Sequence, residues 1–207
     1  GLSAQKSGEP AEAATIYRQG LRVWPGHPHA LHLLGMALLD QGNVQEAIAL
    51  IKRALRALGH KPNVHNNLGI ALERDGQRAR ARDAYQQALA LDPGYAKAHA
   101  NLARLQLEDG EIGPAAEHYR QAVHADPSLA DAWLGLARAR RLLDQVPAAI
   151  EGYRQALALR PDDLVALIEL AGLHQLTLET PRSLPLLEKA CRLDPNHPIA
   201  AFNLAQA

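Results

Sequence analysis

The sequence predicts an all-α chain of antiparallel helix pairs that recur every 34 residues. Three observations carry that expectation. Leu34, Leu68, Leu102, Leu136, Leu170 and Leu204 follow one another in steps of 34 without drift. Each is followed by a very small residue: Gly35, Gly69, Ala103, Ala137, Ala171 and Ala205. A period of this length marks an array whose units are each too small to bury an apolar face alone. Apolar residues make up 47% of the chain and are mainly Ala and Leu, whereas aromatics are 4%, which favours helix over sheet.

With the leucine set at position 7 of a 34-residue frame, other columns fall into phase. Position 20 reads Ala13, Ala47, Ala81, Ala115, Ala149 and Ser183. Position 24 reads Tyr17, Ile51, Tyr85, Tyr119, Tyr153 and Leu187, and position 27 reads Gly20, Ala54, Ala88, Ala122, Ala156 and Ala190. Position 32 reads Pro25, Gly59, Pro93, Pro127, Pro161 and Pro195. Small residues at 8, 20 and 27 let helices approach closely, and the large residue at 24 fills the space between them. This pattern resembles the tetratricopeptide repeat (TPR) family over essentially the whole chain. The resemblance implies helix–turn–helix units stacked into a right-handed α-α superhelix, a TPR solenoid with a concave and a convex face.

The elements follow in order. Residues 1–27 are a partial first repeat; 28–61, 62–95, 96–129, 130–163 and 164–197 are full repeats; 198–207 is a truncated one. Together they form a single array. Gly8, Gly42, Gly76 and Gly110 suit the left-handed residue that ends a first helix. Pro10, Pro114 and Pro147 fall in the first turn of second helices, where proline costs no hydrogen bond. Asp-Pro pairs at 92–93, 126–127 and 194–195 end the second helices. The sixth unit departs from the frame, with Leu178 in the glycine position, Ser183 in the alanine position and Pro185 two residues on. A lengthened loop around 177–183, with Ser183 as N-cap, is the expectation there. The start within a repeat and the apolar tail Ile199–Leu204 suggest a fragment of a longer protein.

Composition narrows the function classes. The 22 basic and 22 acidic residues give no net charge, against the basic excess of a nucleic-acid binder. No apolar run reaches the roughly 18 residues of a membrane span. The single Cys191 allows no internal disulfide, so nothing argues for an oxidising compartment and a cytoplasmic one is favoured. There is no Gly-rich phosphate loop, HExxH or nucleophile elbow. Cys191, on a second helix without a pairing His, reads as a structural thiol. The expectation is therefore no catalytic residues, no cofactor and no metal. His27, His29 and His32 lack a Cys or carboxylate at ligand spacing, and His65 and His99 share position 4 with Trp133, a packing slot.

In the resembled family, ligands lie on the concave face, lined by first-helix positions 2, 5, 6, 9, 12 and 13. These positions share one helical face. Here they place Asn63, Asn66, Asn67, Arg74, Lys97, Asn101, Arg104, Arg138 and Arg141 as peptide-binding candidates. Asn67, Asn101 and Asn203 stand at position 6 and resemble the asparagine ladder of the TPR arm of protein O-GlcNAc transferases, interrupted by Leu33, Gly135 and Glu169. Such amides suit peptide main chain; the alternative is a tolerated polar surface. Lys97, Arg104, Arg138 and Arg141 read either as a carboxylate-binding patch or as a solvated face diluted by Glu73, Glu108 and Glu169. The carboxylate clamp of chaperone-binding TPR proteins is incomplete, because its last Lys and Arg positions hold Asp131 and Gly135. The first functional reading is a non-catalytic scaffold that binds a peptide or partner segment in its groove. The second is the substrate-recognition arm of a larger glycosyltransferase or sulfotransferase, and the third is self-association through Ile199, Phe202 and Leu204 at an uncapped end.

Overall fold

A computed structural model describes residues 10–206, which form twelve α-helices and no strand among the described residues. They are α1 Pro10–Val23, α2 Pro28–Asp40, α3 Val44–Leu58, α4 Pro62–Arg74, α5 Arg78–Leu91, α6 Ala96–Glu108, α7 Ile112–Ala125, α8 Ala130–Leu142, α9 Val146–Leu159, α10 Leu164–Leu176, α11 Thr180–Leu193 and α12 Pro198–Gln206. The turn expected at Gly8 and the cut-short opening helix lie outside the described residues. The chain forms two compact units, residues 1–102 and 103–207, each built of stacked helix hairpins.

In the first unit α1 packs on α2, α2 on α3, α3 on α4 and α4 on α5. The in-phase columns are its core: Ala13, Ala47, Ala81, Ile51, Tyr85, Ala54 and Ala88 are all at 0% exposure. Gly69 is small because the Tyr85 ring occupies the space of a side chain, with Cε1 2.4 Å from where a Cβ would stand. In the second unit α7 packs on α8, α8 on α9, α9 on α10, α10 on α11 and α11 on α12. Its centre joins Ala137, Ala149, Tyr153, Ala166, Leu170 and Leu173.

Among the described residues five hairpins close with the same turn. The N–H groups of Asn43, Gln77, Glu111, Gln145 and Glu179 donate to the carbonyls of Leu38, Leu72, Gln106, Arg140 and His174 at 2.7–2.9 Å. This bond, spanning a left-handed residue, satisfies a helix-end carbonyl. Gly42, Gly76 and Gly110 supply the positive φ at 83°, 75° and 80°. Asp144 and Leu178 do so without the freedom of glycine, both at 58°.

That finding corrects the expectation for the sixth unit. The loop is not lengthened: α11 begins on the frame at Thr180, its N-cap is Glu179, and Pro185 lies inside the helix. Ser183 is not a cap; its hydroxyl donates to Thr180 O at 2.8 Å within the helix. The reason is packing register. Ser183, Leu187 and Ala190 all sit at 0% exposure in the columns that stitch other repeats together, and a later start would move them out. A left-handed Leu178 costs about 1–2 kcal/mol and Pro185 about 3 kcal/mol. Losing a buried leucine and two close-packed small residues costs more than either alone.

A second recurring bond joins consecutive repeats. The position-4 rings donate from His65 Nε2 to Gly59 O (2.8 Å), from His99 Nε2 to Pro93 O (2.8 Å) and from Trp133 Nε1 to Pro127 O (2.9 Å). In each case the acceptor is the position-32 residue six places upstream. The packing slot read from the sequence is therefore also a hydrogen-bonding slot.

Candidate functional site

In the first unit the candidate amides form a line. Asn101 Nδ2 on α6 donates to Asn66 Oδ1 on α4 at 2.9 Å. Asn66 Nδ2 donates to the neighbouring Asn67 Oδ1 at 3.4 Å, and Asn67 Nδ2 donates to His32 Nε2 on α2 at 2.9 Å. Accepting that bond requires a neutral His32. Burial, helped by the nearby His29 charge, lowers its pKa and keeps it so. Asn66 is 2% exposed and is a buried link within the line, while Asn67 and Asn101 are half-buried. Each half-buried amide keeps donor or acceptor capacity beyond these bonds.

Other first-unit candidates are not drawn into the line. Asn63 and Lys97 are exposed. Arg74 turns back along the stack, donating from Nη1 to Leu39 O at 2.7 Å and standing 4.0 Å from Asp40. It thus caps the C-terminal end of α2.

The other three arginine candidates, Arg104, Arg138 and Arg141, lie in the second unit. Arg138 on α8 grips Glu169 on α10 with two nitrogens, Nε–Oε1 at 3.0 Å and Nη2–Oε1 at 2.8 Å. Tyr153 on α9 donates its hydroxyl to the other oxygen of Glu169. Burial and the Glu169 bond raise the Tyr153 pKa, against an opposing hydrogen bond from Arg141, so the phenol stays a donor. Arg104 pairs with Glu108 at 3.0 Å, one turn along the same helix. The acidic residues therefore do more than dilute a patch: Glu169 locks Arg138 in one orientation.

The sequence reading missed Tyr119 and Tyr153 because it treated their column only as filler. The signal was a 16-residue step, from a position-24 tyrosine to position 6 of the next repeat. That step joins Tyr153 to Glu169 and brings Tyr119 onto Gly135, where a Cβ would stand 2.2 Å from Cζ and 2.6 Å from Oη.

The histidines read from the sequence have other work. His27 Nδ1 accepts the Ala30 N–H at 3.1 Å as an N-cap, and its ring meets Trp24 edge-on at 5.1 Å. Among the described residues no group of three His, Cys, Asp or Glu stands close enough to hold a metal ion. Cys191 is a free, half-buried thiol. Among the same residues no helix is long and apolar enough to cross a membrane. On α12, Ile199 and Phe202 are exposed, and Leu204 is half-buried.

Comparisons place this architecture. The chain is similar in structure to PilF of Pseudomonas aeruginosa (TM-score 0.89, 17% identity, covering 100% of this chain and 94% of that one). It is similar to a chain of the APC/C hetero-tetramer Cut9–Hcn1 (0.83, 19%, covering 98% and 40%), so it spans two fifths of that chain. It is also similar to YrrB, described as a TPR protein with an unusual peptide-binding site (0.71, 14%, covering 92% and 98%). At these identities the likeness concerns fold alone. No curated protein sequence matches the chain. Three tetratricopeptide repeat profiles do match, one at residues 1–62 and 102–163, one at 62–95 and one at 84–113. The first alone spans more than half of the sequence, and the chain belongs to the tetratricopeptide repeat family.

Proposed function

We propose that this chain is an interaction scaffold without catalysis of its own, binding an extended peptide or partner segment along its first-helix faces. The observation that carries the reading is the amide line of the first unit. Asn67 and Asn101 are half-exposed yet held by bonds to His32 and Asn66. Amides fixed before binding lose little side-chain entropy when they meet a ligand's main chain, and one donor with one acceptor suits main chain of any sequence. YrrB, with a similar fold, is a precedent for peptide binding on such a frame. The test is a peptide-array screen with the wild type and an Asn67→Ala/Asn101→Ala pair. A loss of captured peptides across many sequences is expected. Unchanged capture would move the ligand to another face.

A further inference from the structure

The amide line of the first unit has a direction, and His32 sets it. Asn101 Nδ2 donates to Asn66 Oδ1, Asn66 Nδ2 to Asn67 Oδ1, and Asn67 Nδ2 to His32 Nε2. None of these four side chains is bonded to any other described residue. An amide nitrogen only donates, so His32 Nε2 must accept, which requires a neutral ring with its proton on Nδ1. A second arrangement occupies the same positions. With each amide turned end for end, His32 Nε2–H donates to Asn67 Oδ1, Asn67 Nδ2 to Asn66 Oδ1, and Asn66 Nδ2 to Asn101 Oδ1. The bonds are equal in number, and an amide fills nearly the same space either way.

An imidazolium donates from both nitrogens. Once His32 is protonated, the line as it stands sets Nε2–H against Asn67 Nδ2, donor on donor. Turning Asn67 alone moves that conflict to Asn66, and turning Asn66 moves it to Asn101. Asn66 is 2% exposed, too buried for water to replace a lost partner, so the conflict cannot rest there cheaply. At the half-buried Asn101 it ends, because Oδ1 has no partner among the described residues and can accept. We propose that the line is a proton-set relay: protonation of His32 turns Asn67, Asn66 and Asn101 end for end and changes what Asn101 offers to a ligand. Before the change Asn101 keeps both lone pairs of Oδ1 and one N–H; after it, one lone pair and both N–H groups.

Burial and the His29 charge lower the His32 pKa, so the change falls on the acid side of the ordinary imidazole value of about 6.5. His29, on the same helix, is the charge that acts on the ring. Of the helices packed on α2, α1 buries one titratable group, the neutral phenol of Tyr17, and α3 carries ionisable residues only at exposed positions. On α4, His65 is turned to Gly59 O, Glu73 to Tyr85 and Arg74 to Leu39 O. By linkage, a ligand that brings an N–H to Asn101 holds His32 neutral, and one that brings a carbonyl favours its protonation. That consequence rests on the peptide-binding reading above. The reversal itself does not, and the test separates the two.

The first measurement is side-chain NMR of the whole chain without ligand. The side-chain amide resonances of Asn67, Asn66 and Asn101 are expected to move with the His32 ring at one midpoint. His32→Gln, which takes no proton, should abolish all three titrations. Asn66→Ala should keep that of Asn67 and abolish that of Asn101. An Asn101 titration that survives either variant comes from another group, such as His99, and overturns the relay; so does an Asn101 that stays still in the wild type while Asn67 moves. Asn101→Asp drives the line from its far end. A carboxylate only accepts, so at neutral pH the His32 proton should pass from Nδ1 to Nε2, read from the ring nitrogen shifts, and an unchanged tautomer overturns the relay. The second measurement repeats the peptide array at about pH 7.5 and 5, on either side of the imidazole range. Capture by the wild type is expected to change by about tenfold, roughly the worth of one bond, and His32→Gln should lack that change. Equal capture at both pH values overturns the control of binding by His32. No capture at either overturns the peptide-binding reading and leaves the reversal seen by NMR standing.

Discussion

Replacing Gly135 by alanine tests the close packing of the Tyr119 ring against α8. A Cβ there falls 2.2, 2.4 and 2.6 Å from Cζ, Cε1 and Oη of Tyr119, all inside the 3.0 Å that real Cβ contacts respect. Tyr119 is only 5% exposed, so its ring cannot swing aside without losing burial. Overpacking of this kind costs about 1–3 kcal/mol. Against it, alanine gains about 1 kcal/mol over glycine in a helix interior. Gly172, inside α10, supplies the control, because a Cβ added there meets nothing within 4 Å. Gly172→Ala should therefore stabilise by about 1 kcal/mol. The helix-propensity gain cancels between the two variants, so their difference isolates the clash at about 1–3 kcal/mol. For a chain of this size that is a gap in Tm of roughly 2–12 °C, taking about 2–4 °C per kcal/mol. Thermal and guanidinium unfolding measure it, and hydrogen exchange at the α8 amides localises it should the array not unfold in one step. A Gly135→Ala protein as stable as Gly172→Ala would refute the packing argument.

Three further outcomes follow from the same packing and hydrogen bonds. Pro185→Ala restores an N–H that can bond Pro181 O in α11 and should stabilise by up to about 3 kcal/mol. Leu178→Gly should add less than about 1.5 kcal/mol, because glycine's extra freedom in the unfolded chain offsets part of the relief; no gain from either change would mean the sixth turn is not held against its local preference. Asn66→Ala removes the buried link and leaves the half-buried Asn101 and Asn67 short of partners, and should cost about 1–3 kcal/mol, whereas the exposed Asn63→Ala should stay within about 0.5 kcal/mol; similar losses would argue that the line is not formed. The lowered His32 pKa means that the folded state binds that proton more weakly than the unfolded chain. Its contribution is therefore complete above the ordinary imidazole value of about 6.5 and falls as the pH drops from there through the folded-state pKa. The unfolding midpoint of the wild type should decline more steeply between about pH 7 and 5 than that of His32→Gln, and parallel curves would contradict this.

The repeat frame was legible because it is written in residue size. Ala47, Ala81 and Ala149 are small where helices touch, and each is at 0% exposure. The sixth turn was misread because local rules were weighed alone. Leu178 and Pro185 are each unfavourable by themselves, and only the buried register of Ser183, Leu187 and Ala190 makes the regular hairpin the better solution. The first-helix face was half legible. Position counting put Asn66 with the ligand-facing residues, but its amide bonds Asn101, 35 residues on, and it lies 2% exposed. A helical wheel of one repeat cannot show a partner in the next. Arg138 and Glu169 were seen as opposite votes on one patch, although they are 31 residues apart in sequence and form a single ion pair in space.

The ring-to-carbonyl bonds of His65, His99 and Trp133 carry a consequence for how such arrays are cut and spliced. Donor and acceptor stand six residues apart, across the turn that leads from one repeat into the next. A recombination junction placed in that turn divides the pair, and the transplanted segment arrives with an orphaned ring or an orphaned carbonyl. A junction placed at the left-handed residue inside a hairpin carries both partners together. The portable cassette of this chain is therefore the second helix of one repeat with the first helix of the next, offset by half a period from the unit that its leucines mark.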